Sequence, residues 1–150
     1  MDNAKGVAIL GMVLSHSFMG TIANGGRGVE PFLVSSVTRG EEVLYEAKGR
    51  QTDRIMSKTT AEKLQSYLRN NVQTIYGDGH FPGLSVCAKS GTSQLGGGQK
   101  SNAMFSGFVL DEAYPLAFIV VVENGGYGSA TCVPVLSPVL QECKAVLDAE

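Results

Sequence analysis

The chain has 150 residues, with 12 Lys and Arg against 14 Asp and Glu for a net charge of −2, and is 43% hydrophobic and 17% charged. That length suits one domain able to bury its own core, and the composition excludes a disordered chain. The slightly acidic balance, without a basic stripe, argues against a nucleic-acid partner. The longest apolar runs, 7–14 and 116–122, are far shorter than the roughly 20 residues of a membrane helix. No charged-then-apolar leader with a small-residue cleavage site is read in these residues.

Residues 7–23 read as a helix, with Met12, Phe18, Met19, Ile22 and Ala23 broadly on one side. Asn24-Gly25-Gly26 should stop it, because glycine adopts the left-handed geometry of a helix end at little cost. Residues 32–47 read as a hairpin around Arg39-Gly40-Glu41, and the polar stretch 48–56 as a loop. A second helix is expected over 59–75. Thr59-Thr60-Ala61-Glu62 fits a capping box, and Ala61, Leu64, Leu68, Val72 and Ile75 recur at spacings of three and four. Residues 76–83, with three glycines and Pro82, read as a loop.

Strands are expected at 84–93, 103–110 and 116–122, the first two joined by a glycine-rich loop and the last two by a tight connection. A final helix over 131–148 would place Cys132, Leu136, Val139, Leu140, Cys143 and Leu147 on one face. Pro134 suits its first turn, whereas Pro138 sits where an interior proline costs about 3 kcal/mol. The sum is an α+β fold: a three-stranded antiparallel sheet with flanking helices, forming one domain over 1–150.

Cys87, Cys132 and Cys143 form no CxxC pair, and His16 and His80 lie far apart, so neither a metal site nor a cofactor is expected. The thiols read as free, buried small hydrophobes. A single bridge involving Cys87 is the alternative. Asn24 reads as a helix C-cap, His16 as a buried or interfacial helix residue, His80 as a loop residue and Tyr127 as an exposed loop tip rather than the border of a groove.

Two motifs compete over 83–92. Gly83 to Ser90 spells G-x-x-x-x-A-K-S, near a phosphate-binding loop, but Ala88 replaces a required glycine and no helix follows Ser90. Lys89-Ser90-Gly91-Thr92 instead forms a K-[ST]-G-[ST] tetrapeptide on a strand beside a glycine-rich turn. Its lysine supplies positive charge and its hydroxyls supply directional donors. Gly91 clears room for a substrate to lie along the strand and pair with its backbone. Together they suit recognition of an anion.

This tetrapeptide, with Thr21-Ile22-Ala23-Asn24-Gly25-Gly26, Pro31-Phe32-Leu33-Val34 and Phe105-Ser106-Gly107-Phe108 in the same order, resembles penicillin-binding proteins and serine β-lactamases. The resemblance covers about 7–147 and is strongest to the C-terminal part of a class B, high-molecular-mass transpeptidase domain. It implies a partial penicillin-binding/β-lactamase-like fold. It further implies a D,D-transpeptidase that cross-links peptidoglycan stem peptides by serine acyl transfer and is acylated by β-lactams.

By that resemblance, Lys89 tunes proton traffic around the nucleophile and the Thr92 N–H forms half of an oxyanion hole. Ser90, Gly91, Thr92 and Ser93 would bind the substrate. Neither S-x-x-K nor S-x-N occurs in the 150 residues: Thr60-Ala61-Glu62-Lys63 begins with threonine, and Asp2-Asn3 follows Met1. The chain is therefore expected to be a fragment holding half an active site and no nucleophile, inactive alone and prone to self-association where the N-terminal part of the domain would pack. Its parent would be anchored in the cytoplasmic membrane with this domain outside. A different class of reading is a non-catalytic module that binds cell-wall peptide or a protein partner through the Lys89 strand.

Overall fold

The structure, a computed structural model, describes residues 17–30, 32–94 and 97–149. The centre is an antiparallel sheet of β5 (Val86–Ser93), β6 (Asn102–Val109) and β7 (Ala117–Val122), in the order β5-β6-β7. Its register is continuous, from Val86 opposite Val109 to Ser93 opposite Asn102, and from Ala103 opposite Val122 to Phe108 opposite Ala117. The expected 84–93 and 116–122 lose two residues and one residue at their starts, and the expected 103–110 is shifted one residue earlier. Leu84 and Leu116 instead make short-range turn contacts with Phe81 and Tyr114.

The two faces of the sheet are covered differently. On one, Val86, Ala88, Ala103, Phe105 and Phe118 pack with Cys132, Val133, Leu136 and Leu140 of the helix α3 (Gly128–Asp148). On the other, Cys87 and Phe108 pack with Ile22 and Met19 of the helical residues 17–23 (α1), and with Leu64 and Leu68 of the helix α2 (Lys58–Asn71). Burial of these side chains, at about 1.5–3 kcal/mol for each fully buried Val, Leu, Ile or Phe, is the main force holding helices to sheet. All three cysteines are free thiols, with Cys87 and Cys132 buried.

Several expectations are corrected. α3 begins at Gly128, three residues ahead of the expected 131, and both prolines lie within it. Val139 is 54% exposed and Val133 takes a place on the buried face. The stripe 132, 136, 140 is centred toward 133, so 139 falls at its far edge. Cys143 and Leu147 are half-buried. α2 is capped by Ser57, whose hydroxyl accepts from Thr60 N–H at 3.1 Å, so the box proposed at Thr59 lies two residues too late.

Residues 48–56, read as loop, contain β4 (Gln51–Arg54), which pairs antiparallel with β1 (Arg27–Val29). The pairing is irregular and leans on side chains: Gly28 N–H donates to Thr52 Oγ1 at 3.0 Å, and Arg27 donates to the Thr52 carbonyl at 3.3 Å. Polar residues form this strand because distant partners satisfy them. Ahead of β1, Gly25 and Gly26 end α1 at φ values of 61° and 97°. A Cβ on Gly26 would also stand 2.2 Å from the Met56 carbonyl oxygen. β2 (Ser36–Arg39) and β3 (Glu42–Glu46) form the hairpin, narrower than 32–47, and every residue of both strands is exposed. The parts of the helix and segment expectations at 1–16 and Pro31, including Met12 and His16, lie outside the described residues.

Candidate active site

Lys89, Ser90, Gly91, Thr92 and Ser93 form the C-terminal part of β5, opposite Ser106, Phe105, Met104, Ala103 and Asn102. Alternation along a strand puts Ser90 and Thr92 on the face of Val86 and Ala88, toward α3, and Lys89, Gly91 and Ser93 on the face of Cys87. Lys89, Thr92 and Ser93 are exposed, while Ser90 and Gly91 are half-buried.

β5 is an edge strand of its sheet, and α2 serves its outer edge. The Val86 carbonyl accepts from Arg69 at 3.3 Å and the Ala88 carbonyl from Asn71 Nδ2 at 3.4 Å. The Ser90 N–H donates to the Tyr76 hydroxyl at 3.1 Å. These are alternate residues, as expected where every second residue of an antiparallel strand turns its main-chain groups away from the neighbour. The same phase turns the Thr92 N–H outward, one step past Tyr76. Arg69 is itself fixed by Asp78, through bonds of 2.5 and 2.8 Å. These hydrogen bonds and the adjacent charge hold the Asp78 carboxyl below the usual carboxylate range.

Tyr76 reaches Ser90 because α2 does not end as an ordinary helix. Residues Val72–Tyr76 form a π-helical turn, closed by the Gly77 N–H on the Val72 carbonyl at 2.9 Å. The widened turn leaves Ile75 68% exposed and brings Tyr76 inward, correcting the helix face that ended on Ile75. The Tyr76 ring meets Phe105 edge-on with centroids 5.1 Å apart, and its hydroxyl lies 3.0 Å from Ser90 Oγ. Burial pushes the phenol up, but the hydrogen bonds with Ser90 and the nearby Lys89 ammonium outweigh it, leaving it below the ordinary tyrosine range. Lys89 Nζ donates to the Ser90 carbonyl at 2.6 Å.

The other hydroxyl meets a helix end. Thr92 Oγ1 accepts from the Gly128 N–H, the first residue of α3, at a long 3.4 Å, which leaves the Thr92 O–H free to donate. Thr92 also borders an open depression with Gln94, Ser101, Gly126 and Tyr127. Tyr127 is 82% exposed, so it is a loop tip that also flanks this depression. Two hydroxyls and the first main-chain N–H of α3 thus share one face of the strand end, with the Lys89 ammonium at its edge on the Ser90 carbonyl, donors suited to a carboxylate.

Elsewhere, Asn24 donates its N–H to the Gly20 carbonyl at the end of α1, and His80 lies in a short 3₁₀ turn (Asp78–His80) where its carbonyl accepts from Ser137 Oγ at 2.6 Å. Among the described residues no group of three His, Cys, Asp or Glu side chains could hold a metal ion. No described helix is long and apolar enough to cross a membrane. Sequence reasoning missed Arg69, Asn71 and Tyr76. For Tyr76 a signal existed, since position 76 follows Val72 by four and continues the apolar stripe as well as 75 does.

Comparison with known proteins supplies the context for this strand. The family model described as the penicillin binding protein transpeptidase domain matches residues 14–141. Peptidoglycan D,D-transpeptidase PbpA of Mycobacterium tuberculosis is 31% identical over 110 residues, covering 70% of this chain and 22% of the relative. The chain thus spans about a fifth of the length of the curated relatives it matches. Penicillin-binding protein A of M. tuberculosis, solved as a ceftriaxone acyl-enzyme, superposes with a TM-score of 0.75 at 26% identity, over 85% of this chain and 31% of that one. The D,D-transpeptidase domain of a peptidoglycan glycosyltransferase from Eggerthella lenta gives 0.68 at 30% identity, over 81% and 30%. The α+β arrangement of sheet and helices is that of these domains, and the chain belongs to the penicillin-binding protein transpeptidase domain family.

Proposed function

We propose that this chain supplies the substrate-anchoring half of a D,D-transpeptidase active site, in a protein that cross-links peptidoglycan stem peptides and is acylated by β-lactams. The observation that carries the reading is the register of β5, which by alternation turns the Thr92 N–H outward beside the Thr92 and Ser90 hydroxyls, one step past Tyr76, the last side chain on that edge. Ser90 and Thr92 hold the carboxylate of the acyl donor, and Gly91 and Ser93 let its chain lie along β5. The Thr92 N–H stabilises the oxyanion as the donor carbonyl turns tetrahedral, a role worth about 3–4 kcal/mol where a single donor has been removed from other enzymes. Lys89 keeps a positive charge beside the nucleophile and assists its proton transfer.

The nucleophile comes from a serine outside the 150 residues, since no S-x-x-K or S-x-N occurs within them. The rest of the domain docks on apolar surface of this chain, where Val135 and Val139 border a groove with Ile119 and Val120. The complete protein works on the outer side of the cytoplasmic membrane, where its substrate lies.

Intact mass after incubation with benzylpenicillin tests the assignment. The complete protein should gain one penicilloyl group, and the 150-residue chain alone none. An adduct on the short chain would place a nucleophile within it. An unmodified complete protein that still binds cell-wall peptide would favour a non-catalytic binding module, the reading that the absence of both serine motifs from these residues supports.

A further inference from the structure

Ser90 lies in the proposed carboxylate site, but its hydroxyl is useful there only if its proton points at the ligand. Tyr76 is the neighbour placed to set that direction. The Tyr76 oxygen already accepts the Ser90 N–H at 3.1 Å and lies 3.0 Å from Ser90 Oγ. A phenol carries one proton and limited acceptor capacity. With one acceptor position taken by the main-chain N–H, its own proton is free to bridge to Oγ. The serine proton is then left unengaged by Tyr76. In the opposite arrangement Ser90 would spend its proton on the phenol and present only lone pairs to a carboxylate. The adjacent Lys89 ammonium, 2.6 Å from the Ser90 carbonyl, makes this strand edge positive and suits it to an anion that accepts the serine proton.

We propose that Tyr76 is a positioning residue for the K-S-G-T strand: by donating its O–H to Ser90 Oγ while accepting the Ser90 N–H, it fixes the serine hydroxyl as a donor to the ligand carboxylate. The inference rests on the transpeptidase reading of that strand. Tyr76 also completes a series. Arg69, Asn71 and Tyr76 engage the outward groups of Val86, Ala88 and Ser90 in turn, so the edge open to a pairing substrate starts at Thr92. The π-helical turn makes this possible, because it presents position 76 rather than 75 to the core.

The test measures acylation of the complete transpeptidase by benzylpenicillin and by its carboxylate methyl ester, in the unsubstituted protein, Y76F, S90A, T92A and Y76F/S90A. Phenylalanine keeps the ring against Phe105 and removes only the hydroxyl. Y76F should lower the second-order acylation constant for the acid about tenfold, the scale of one hydrogen bond to a charged ligand. The loss should fall mainly in the binding constant rather than the acylation rate constant, should vanish in the S90A background, and should shrink to under about twofold with the ester. As a measurement independent of any variant, the Ser90 amide should exchange slowly with solvent deuterium in the unsubstituted protein.

An S90A protein that is slowed while Y76F is unaffected would overturn the positioning role and leave the site assignment standing. So would additive losses in the double variant, an equal Y76F loss with acid and ester, or fast exchange at Ser90. S90A and T92A proteins that acylate normally, or an unsubstituted protein that does not acylate, would overturn the site reading and the positioning role with it.

Discussion

Gly128 joins α3 to the strand that carries the candidate site, and its substitution by alanine has a calculable consequence. A Cβ there would stand 2.4 Å from the Gly91 carbonyl oxygen, 2.7 Å from the Met104 carbonyl oxygen and 3.2 Å from the Gly91 nitrogen. The first contact is about 0.6 Å inside the 3.0 Å that real Cβ atoms respect. All three atoms are main chain of paired residues in β5 and β6, so none can swing aside like a flexible side chain. Overpacking of this kind costs about 1–3 kcal/mol, and contact with backbone on several sides places it at the upper end. Alanine's helix propensity returns up to about 1 kcal/mol. The net expectation for G128A is a loss of about 2 kcal/mol, or about 4–8 °C in melting temperature for a chain of this size.

Urea denaturation followed by circular dichroism reads this loss as a shift of midpoint at unchanged slope. The control is G20A, inside α1, where the new methyl meets nothing within 4 Å and alanine should gain up to about 1 kcal/mol. Opposite signs for one substitution type separate local crowding from helix propensity. A G128A midpoint equal to or above that of the unsubstituted chain would refute the reasoning, because α3 would then not press against Gly91 at all. In the complete transpeptidase, G128A should also slow acylation, since relieving the clash moves Gly128 away from Thr92 Oγ1.

Three further outcomes test the framework around the site. S57A should cost about 1 kcal/mol in urea unfolding through loss of the α2 cap, while T59A should stay within about 0.5 kcal/mol. Asp78 is held below the ordinary carboxylate range chiefly by its hydrogen bonds to Arg69, so its stabilising contribution is full above the unfolded value near 3.9 and is lost as pH falls through the lowered folded value. D78N should therefore be less stable at pH 7 by about 1 kcal/mol, allowing for solvent screening of a side chain 43% exposed, with the gap narrowing at pH 3. Burial pushes the Cys87 thiol up to about 11, and Cys132 is raised by the same cause, so iodoacetamide at pH 8 should label the half-buried Cys143 in the native chain and all three cysteines only in urea. Rapid native labelling of Cys87 would contradict its place between the sheet and α2.

The elements legible in the sequence are those whose signal is local and repeated. The stretch 116–122 is an apolar run rich in β-branched residues, and Ala61, Leu64, Leu68 and Val72 repeat at helical spacing. Burial against the sheet enforces both patterns. β4 is different: Gln51-Thr52-Asp53-Arg54 has no apolar alternation and is a strand because Gly28 and Arg27, more than 20 residues earlier, bond to Thr52. The start of α3 is hidden for a related reason, since in sequence Gly128 looks like the tail of a glycine loop and its close approach to Gly91 is a tertiary contact.

The candidate site divides along the same line. Lys89, Ser90, Gly91 and Thr92 could be singled out because charge, hydroxyls and a missing side chain are written in the residues themselves. Which of their main-chain groups are free is not written there. It follows from the sheet order, which leaves β5 at an edge, and from α2 and the π-helical turn after it, which engage alternate residues of that edge up to Ser90. A hydrophobic pattern reports which face of an element is buried, whereas the strand edge is a property of main-chain groups that every residue except proline shares. Tyr76 stands at the boundary between the two kinds of information. Its ring obeys the apolar period of α2, and its hydroxyl ends the covered edge at Ser90. The residue that a periodicity argument places one position away, Ile75, cannot replace it, because an apolar side chain has no oxygen with which to hold the Ser90 N–H.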